Sequence, residues 1–473
     1  MKKLFVIFYI SFCLLALIQF GKQSGENRYG ERVAAAPHDT HTLFLPILNY
    51  NYNLQFPAPL FGMQVYGSTE QNSTYYPYLI NSQTSWVRSN VFWLHVEPEN
   101  RDPANFSWAG TDNAIAAARA DNGGLHLIVT IGVIPEWARL NPEWVDGPIH
   151  PDALGEFAEF VQAVVERYDG DGYLDAPGSP IVRHWELINE PDAGQNRWGY
   201  YGAEYAEMLR TVYPVIKQAD PAAQVVFGGI AYDYFESQGG TFVESFFDDV
   251  LAAGGGAYFD IMNFHMYPLF APNWGHDSTG MKGKADILRA KLAAYGYHKP
   301  FVITEAGWHN STDAVPPSNN NEQVDRLVQL VAHSFATDIK VMIWWMLYDP
   351  GDFLPNYGLV TRGSTPTPKD AYTAYRAAVA LLNNAQFVRT LPPTETGTTL
   401  MEAHQFRTDT GSLYIAWLNP YGTTETRPLS IPTAALTILD GMGNLIGTAV
   451  DSDNDGYVTV TITTRPVYIQ VNH

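Results

Sequence analysis

The chain has 473 residues, 46% hydrophobic and 16% charged, which excludes the disordered class and leaves room for a large barrel plus a smaller unit. Its formal charge of -21 would repel phosphate backbones and anionic lipid, which argues against nucleic acid and membrane surfaces as partners, and nothing implies a protein partner. The 12 Trp and 28 Tyr exceed what such a core requires and suit a surface that stacks on sugar rings.

Met1-Lys2-Lys3 and the apolar run Leu4 to Phe20 read as an export signal, or as an uncleaved anchor, and residues 1–36 are set aside as that segment and its spacer. A secreted or extracytoplasmic location follows. The one cysteine, Cys13, lies inside this segment, so the mature chain has no disulfide, no thiolate nucleophile and no cysteine metal site. An irregular polar stretch continues to Pro59, with one apolar patch at His41 to Leu48.

From Phe61 onward, apolar runs alternate with helical patterns, as βα units do. The runs are Phe61 to Tyr66, Trp86 to Trp93, His126 to Ile131, Val182 to Asn189, Gln224 to Gly229, Ile261 to His265, Phe301 to Glu305 and Val341 to Trp345. Helices are expected at Asp112 to Ala120, Pro151 to Tyr168, Ala203 to Gln218, Phe242 to Ala253, Lys284 to Tyr295, Asn321 to Thr337 and Lys369 to Leu382. An eight-fold alternation favours a closed (β/α) barrel over residues 60–384. Over residues 385–473 the pattern becomes Thr-rich β-branched alternation, with turns at Asp409-Thr410-Gly411, Pro420-Tyr421-Gly422, Asp440 to Gly443 and Asp455-Gly456, and reads as a small antiparallel β-sandwich.

The strongest chemical motif is Trp185 to Pro191, an apolar run ending in Asn189-Glu190-Pro191. Barrel enzymes draw their catalytic residues from the C-terminal ends of strands, and Pro191 stops the ladder beside Glu190. Phe301 to Trp308 repeats the pattern, with Glu305 at a strand end. These are the fourth and seventh strands, on opposite sides of the barrel mouth. Two facing carboxyl groups roughly 5 to 5.5 Å apart are what retaining glycosidases use, one attacking the anomeric carbon and one protonating the leaving oxygen.

At these motifs the sequence resembles the retaining glycoside hydrolases of clan A, and most of all glycoside hydrolase family thirty-nine. The resemblance implies a (β/α)8 barrel followed by a β-sandwich, with Glu190 as acid/base and Glu305 as nucleophile. Trp86-Val87-Arg88 is similar to the clan's second strand, whose arginine supports the nucleophile; Ile134 to Ala138 to its third-strand exit; His265 to Pro268 to its sixth. Trp344-Trp345 resembles the eighth strand, where a tryptophan floors the sugar subsite, and Thr464 to Ile469 resembles the family's last sandwich strand.

Physical roles follow for these side chains. Glu190 must be protonated at working pH and Glu305 ionised, the latter held so by a cation such as Arg88. Asn189 is placed to bond the sugar's 2-hydroxyl, and His265 or Tyr267 orients Glu305. Trp345, then Trp137 and Trp308, are expected sugar platforms, with Trp93, Trp198, Tyr232 and Tyr348 behind them. Asp451 to Gly456 resembles half a calcium loop, but Ile462 stands where its bidentate Glu belongs, so a solvated turn is favoured and no metal is assigned.

The expected activity is hydrolysis of a β-linked carbohydrate by double displacement with no cofactor. Two other readings use the same residues: a catalytically silent carbohydrate-binding or surface-scaffold protein, and a transglycosylase.

Overall fold

The computed structural model describes residues 56–472 apart from positions 57, 58, 276, 352, 353 and 423. The expected export segment and the His41 to Leu48 patch lie outside the described residues. Eight parallel strands, β1 (Phe61–Gln64), β2 (Trp86–Phe92), β3 (His126–Gly132), β4 (His184–Leu187), β5 (Gln224–Val226), β6 (Met262–Met266), β7 (Phe301–Ala306) and β8 (Ile339–Trp344), pair in the order β5-β4-β3-β2-β1-β8-β7-β6. The seam between β5 and β6 closes through the single parallel bridges Val226–Ile261 and Ile230–Phe264. Each of the eight apolar runs is one of these strands.

Helices cover the outside of the barrel. In Leu154–Arg167 the buried residues Phe157, Phe160, Val161, Val164 and Val165 recur at helical spacing, forming one stripe against the strands. Asn320–Ala336 does the same with Val324, Leu327, Val328 and Val331. Among the described residues no helix is long and apolar enough to cross a membrane.

Side chains alternate along a strand, so every second residue enters the barrel. Trp86, Ile128, Val226, Ile261, Val302, Val341 and Ile343 form one apolar cluster in which Phe56 also packs. Gly62 is required at that level, since a Cβ there would stand 2.1 Å from Ile343 Cδ1. Two residues further along each strand, the inward positions turn polar: Arg88 after Trp86, Thr130 after Ile128, Glu186 after His184, Asn263 after Ile261 and Thr304 after Val302, all buried. The barrel is thus plugged by hydrocarbon at one end and by a hydrogen-bonding layer at the other.

The C-terminal region forms two antiparallel sheets. β9 (Gln386–Thr390), β10 (Met401–Thr408), β11 (Gly411–Leu418), β13 (Ala435–Leu439), β14 (Leu445–Val450) and β16 (Val467–Asn472) make the larger sheet, and β12 (Arg427–Pro432) pairs with β15 (Tyr457–Ile462). One face of β11, Tyr414, Ala416 and Leu418, packs with Leu429, Ile431, Val458 and Val460 of the smaller sheet. The other face, Leu413, Ile415 and Trp417, is buried too, so β11 reads as a continuous apolar run rather than an alternating one.

That second face meets the barrel. Phe406 sets its ring edge-on to Phe335 at 5.4 Å, Trp417 Nε1 donates to Ser278 Oγ at 3.0 Å, and Arg465 Nε donates to Asp325 at 3.2 Å. The Asp451 loop connects the two sheets, and both Asp451 carboxylate oxygens accept backbone N–H groups of its own turn, from Asp455 at 3.2 Å and Gly456 at 2.9 Å. Phe406→Ala should cost about 3 to 5 kcal/mol through the cavity it leaves, with barrel and sheets still unfolding together. Urea denaturation followed by tryptophan fluorescence checks this, and two separate transitions would show that the interface does not couple them.

Candidate active site

The polar layer is organised by Arg88. Its guanidinium bonds Glu186 twice, Nε to Oε2 and Nη2 to Oε1, both at 2.8 Å. Nη1 reaches Glu305 Oε1 at 2.7 Å and Gln64 Oε1 at 3.2 Å, while Nη2 reaches Asn189 Oδ1 at 2.6 Å. Burial opposes the charge on Arg88, but Glu186 and Glu305 outweigh it and hold its pKa above the ordinary arginine value.

Glu305 lies on β7 and Glu190 just beyond β4; they retain only 4% and 2% exposure. A carboxylate oxygen of each lies within 4.8 Å of the other, with a His265 ring nitrogen inside the same limit. His265 Nδ1 is 3.0 Å from Glu190 Oε1 and 3.7 Å from Glu305 Oε2. The Tyr267 hydroxyl donates to Glu305 Oε2 at 2.9 Å. Burial opposes a charge on His265, and the Glu305 and Glu190 carboxylates overcome it, so its pKa is raised above the ordinary imidazole value. The Tyr267 phenol is pushed well up by burial and by Glu305, and stays a donor.

Backbone details produce this alignment. β6 pairs Phe264 with Ile303 and then His265 with Glu305, so a one-residue register shift at Phe264/His265 brings the imidazole abreast of the carboxylate instead of Thr304. Gly229 is demanded by packing: a Cβ there would meet His265 Nε2 at 2.2 Å. Its carbonyl accepts from Glu190 N–H at 3.1 Å and its own N–H donates to Glu186 Oε1 at 3.1 Å.

The structure therefore brings Arg88, Asn189, Glu190, His265, Tyr267 and Glu305 into one connected cluster. Trp345 adjoins it, with its indole N–H on the Tyr66 hydroxyl at 3.1 Å and its ring edge-on to Tyr357, which in turn contacts Tyr267. Trp137 lies at the exit of β3 against Trp93. Trp308 lies past β7, stacked on His309, with its N–H on Ser318 Oγ and the Arg326 guanidinium 5.2 Å from the ring centroid. Trp93 and Trp198 are corrections to the expected platforms: both are buried among other core rings, Trp93 stacked on Phe160 and Trp198 edge-on to Tyr205.

Sequence reasoning missed several members of the cluster. Glu186, Gln64, Thr130 and Thr304 are strand-interior polar residues bonded to Arg88 or, for Thr304, to Glu186, and Glu186 in an otherwise apolar strand was the legible signal of a buried ion pair. Lys284 was not legible, because its helix shows only a surface-like pattern. It is fully buried, donating to the carbonyls of Ala231 at 2.8 Å and His265 at 3.0 Å and pairing with Asp233. Asp192 receives the N–H groups of Ala231 and Tyr232 at 3.1 and 2.7 Å, and burial raises its pKa to about 7.

No protein-family model matches the chain, and no curated protein matches it by sequence. Solved structures do match it in fold. A family 39 glycoside hydrolase from the gut symbiont Bacteroides cellulosilyticus superposes with a TM-score of 0.66 and 21% identity over 88% of this chain and 81% of that one. A GH30 endoxylanase from Clostridium papyrosolvens gives 0.58 and 13% over 87% and 95%, and a GH39 β-xylosidase from Caulobacter crescentus 0.57 and 14% over 88% and 97%. The barrel with appended β-sheets is therefore the fold of these clan A glycoside hydrolases.

Breaking a buried pair leaves an uncompensated charge, so Glu186→Ala should destabilise the chain by about 3 to 5 kcal/mol. Equilibrium urea unfolding measures it. A loss below about 1 kcal/mol, the ordinary worth of an exposed pair, would mean that water replaces the carboxylate.

Proposed function

We propose that the protein is a glycoside hydrolase that cleaves a β-glycosidic bond with retention of configuration, using Glu305 as nucleophile and Glu190 as acid and base. The observation that carries this reading is the approach of their carboxylate oxygens to within 4.8 Å. Inverting enzymes hold the two groups roughly 6.5 to 9.5 Å apart to admit a water, and retaining ones roughly 5 to 5.5 Å.

Glu305 is equipped to attack. Arg88 donates to its Oε1 and Tyr267 to its Oε2, which together fix its rotamer. In the first step a Glu305 oxygen bonds to the anomeric carbon as the bond to the leaving oxygen breaks, and Glu190 gives that oxygen its proton. The Glu190–His265 pair holds this proton on Oε1 or on Nδ1 across their 3.0 Å contact. In the second step Glu190 takes a proton from water, whose oxygen displaces Glu305 from the anomeric carbon.

Asn189 spends its carbonyl oxygen on Arg88, which turns its NH2 group outward to donate to the 2-hydroxyl. Tyr267, Tyr357 and Trp345, all buried, form a continuous aromatic wall, and its margin beside Glu305 is the surface we assign to the C–H face of the sugar. A xylosidase and an endoxylanase among the structural neighbours put β-xylosides first among substrates to try. The apolar run at the N-terminus supports action outside the cytoplasm.

Wild type should release reducing sugar from at least one member of a panel of β-linked polysaccharides and aryl β-glycosides, and Glu305→Ala should lower kcat by several orders of magnitude, each tenfold being about 1.4 kcal/mol of barrier. Proton NMR of the first-formed product should show the β anomer; an α anomer would refute retention. Binding without release by either chain would make the protein a carbohydrate-binding one.

A pH profile tests the shared proton. With the His265 pKa raised by its carboxylate neighbours, the pair keeps its proton above the ordinary imidazole value of about 6.5. The alkaline limb of kcat/KM should lie above that pH and move lower in His265→Gln. An unmoved limb would exclude His265 from holding the proton.

A further inference from the structure

We propose that His333, Glu402 and His404 bind one divalent transition-metal ion, with zinc as the representative, where the barrel helix Asn320–Ala336 meets strand β10 of the C-terminal sheet. Glu402 and His404 are two residues apart on β10 and so share the face turned toward the barrel. His333 approaches them from the helix. The three side chains each offer one ligand atom, and all three atoms lie within 4.8 Å of one another.

The remaining ring nitrogens are already engaged, which leaves both Nε2 atoms for the centre. His333 Nδ1 contacts Thr279 Oγ1 at 2.8 Å and Asp277 Oδ1 at 3.4 Å, and His404 Nδ1 contacts Thr390 Oγ1 at 3.0 Å. Glu402 Oε1 accepts the Ser278 N–H at 2.9 Å, and Ser278 Oγ, itself bonded by Trp417 Nε1, lies 3.3 Å from Oε2. Outer partners of this kind, a carboxylate behind one imidazole included, fix the tautomer and aim of metal ligands.

An imidazolium–carboxylate pair accounts for the 2.7 Å contact between His333 Nε2 and Glu402 Oε2, but it leaves His404 unexplained. His404 is 3% exposed, and its Nε2 is buried with no hydrogen-bond partner among the described residues. Its Nδ1 is on Thr390 Oγ1, so the unpartnered Nε2 is the ring atom left facing the cluster. Two imidazoles and one carboxylate are a donor set suited to zinc, with bonds of about 2.0 to 2.2 Å. In a tetrahedron of that size the ligand atoms stand about 3.3 Å apart, which small side-chain movements within the present spacing provide. The ion would pin the sheet to the barrel and has no part in the proposed glycosidase chemistry.

The full chain, stripped with a chelator and exchanged into metal-free buffer, is titrated with zinc chloride beside His404→Gln. Calorimetry and elemental analysis should give one tightly held zinc per wild-type chain, with affinity reduced about 100-fold or more in the variant. The melting temperature should rise with zinc in the wild type only. Equal zinc content and equal melting shifts in the two chains would overturn the site. If His404→Gln does not fold, the wild type loaded with cobalt(II) decides: strong visible bands of a low-coordinate ion support the site, and the weak spectrum of the hydrated ion overturns it.

Discussion

A single buried guanidinium sets the architecture of the site. Arg88 forms bonds to Gln64 on β1, Thr130 on β3, Glu186 on β4, Asn189 beyond β4 and Glu305 on β7, so one side chain cross-links half of the barrel from the inside. Desolvating a charge costs several kcal/mol, and only near-ideal geometry with every donor used offsets it. The bidentate Glu186 pair supplies that geometry. Glu305 is then a second carboxyl group on a guanidinium already paired with Glu186.

The same logic explains why the strand ends carry strain. Ile188 and Glu190 have φ of 64° and 45°, and Tyr232 and Tyr234 have 47° and 39°. Left-handed backbone at non-glycine residues costs of order 1 to 3 kcal/mol each and persists only where surroundings over-determine it. Here the Glu190 N–H is fixed on Gly229, Asp192 holds the N–H groups of Ala231 and Tyr232, and Lys284 holds the Ala231 carbonyl. The exits after β4 and β5 are therefore locked to each other. That lock sets the distance from Glu190 to His265 and through it to Glu305.

The pattern of the sequence carried the barrel because β/α alternation is a local property: each strand is a short apolar run, and Asn189-Glu190-Pro191 and Thr304-Glu305 mark two of their ends. Residues whose role arises only from register were harder to read. Glu186 and Thr130 face Arg88 because β3 pairs Thr130 with Glu186, a fact of pairing rather than of spacing. His265 and Tyr267 stood as alternatives for orienting Glu305, and both contact it, at 3.7 and 2.9 Å, because of a register shift that periodicity does not reveal. Aromatic content misled at Trp93 and Trp198, since ring count measures neither burial nor direction.

The helix Asn320–Ala336 gives the C-terminal sheet a structural connection to a site that it does not touch. Near its start, Gln323 Nε2 donates to the carbonyls of Trp308 at 2.9 Å and Tyr357 at 3.2 Å, the second of which belongs to the aromatic wall beside Tyr267. Near its end, His333 and Phe335 meet Glu402 and Phe406 of β10. A helix of this length is a rod of about 25 Å, stiff along its axis. Anchoring its far end against a two-sided buried sheet limits how the near end tilts, and with it the carbonyls that seat Tyr357. Tyr267 packs against that ring and donates to Glu305, so an unbroken run of contacts, one helix, one amide and two phenols, joins the sheet to the carboxylate.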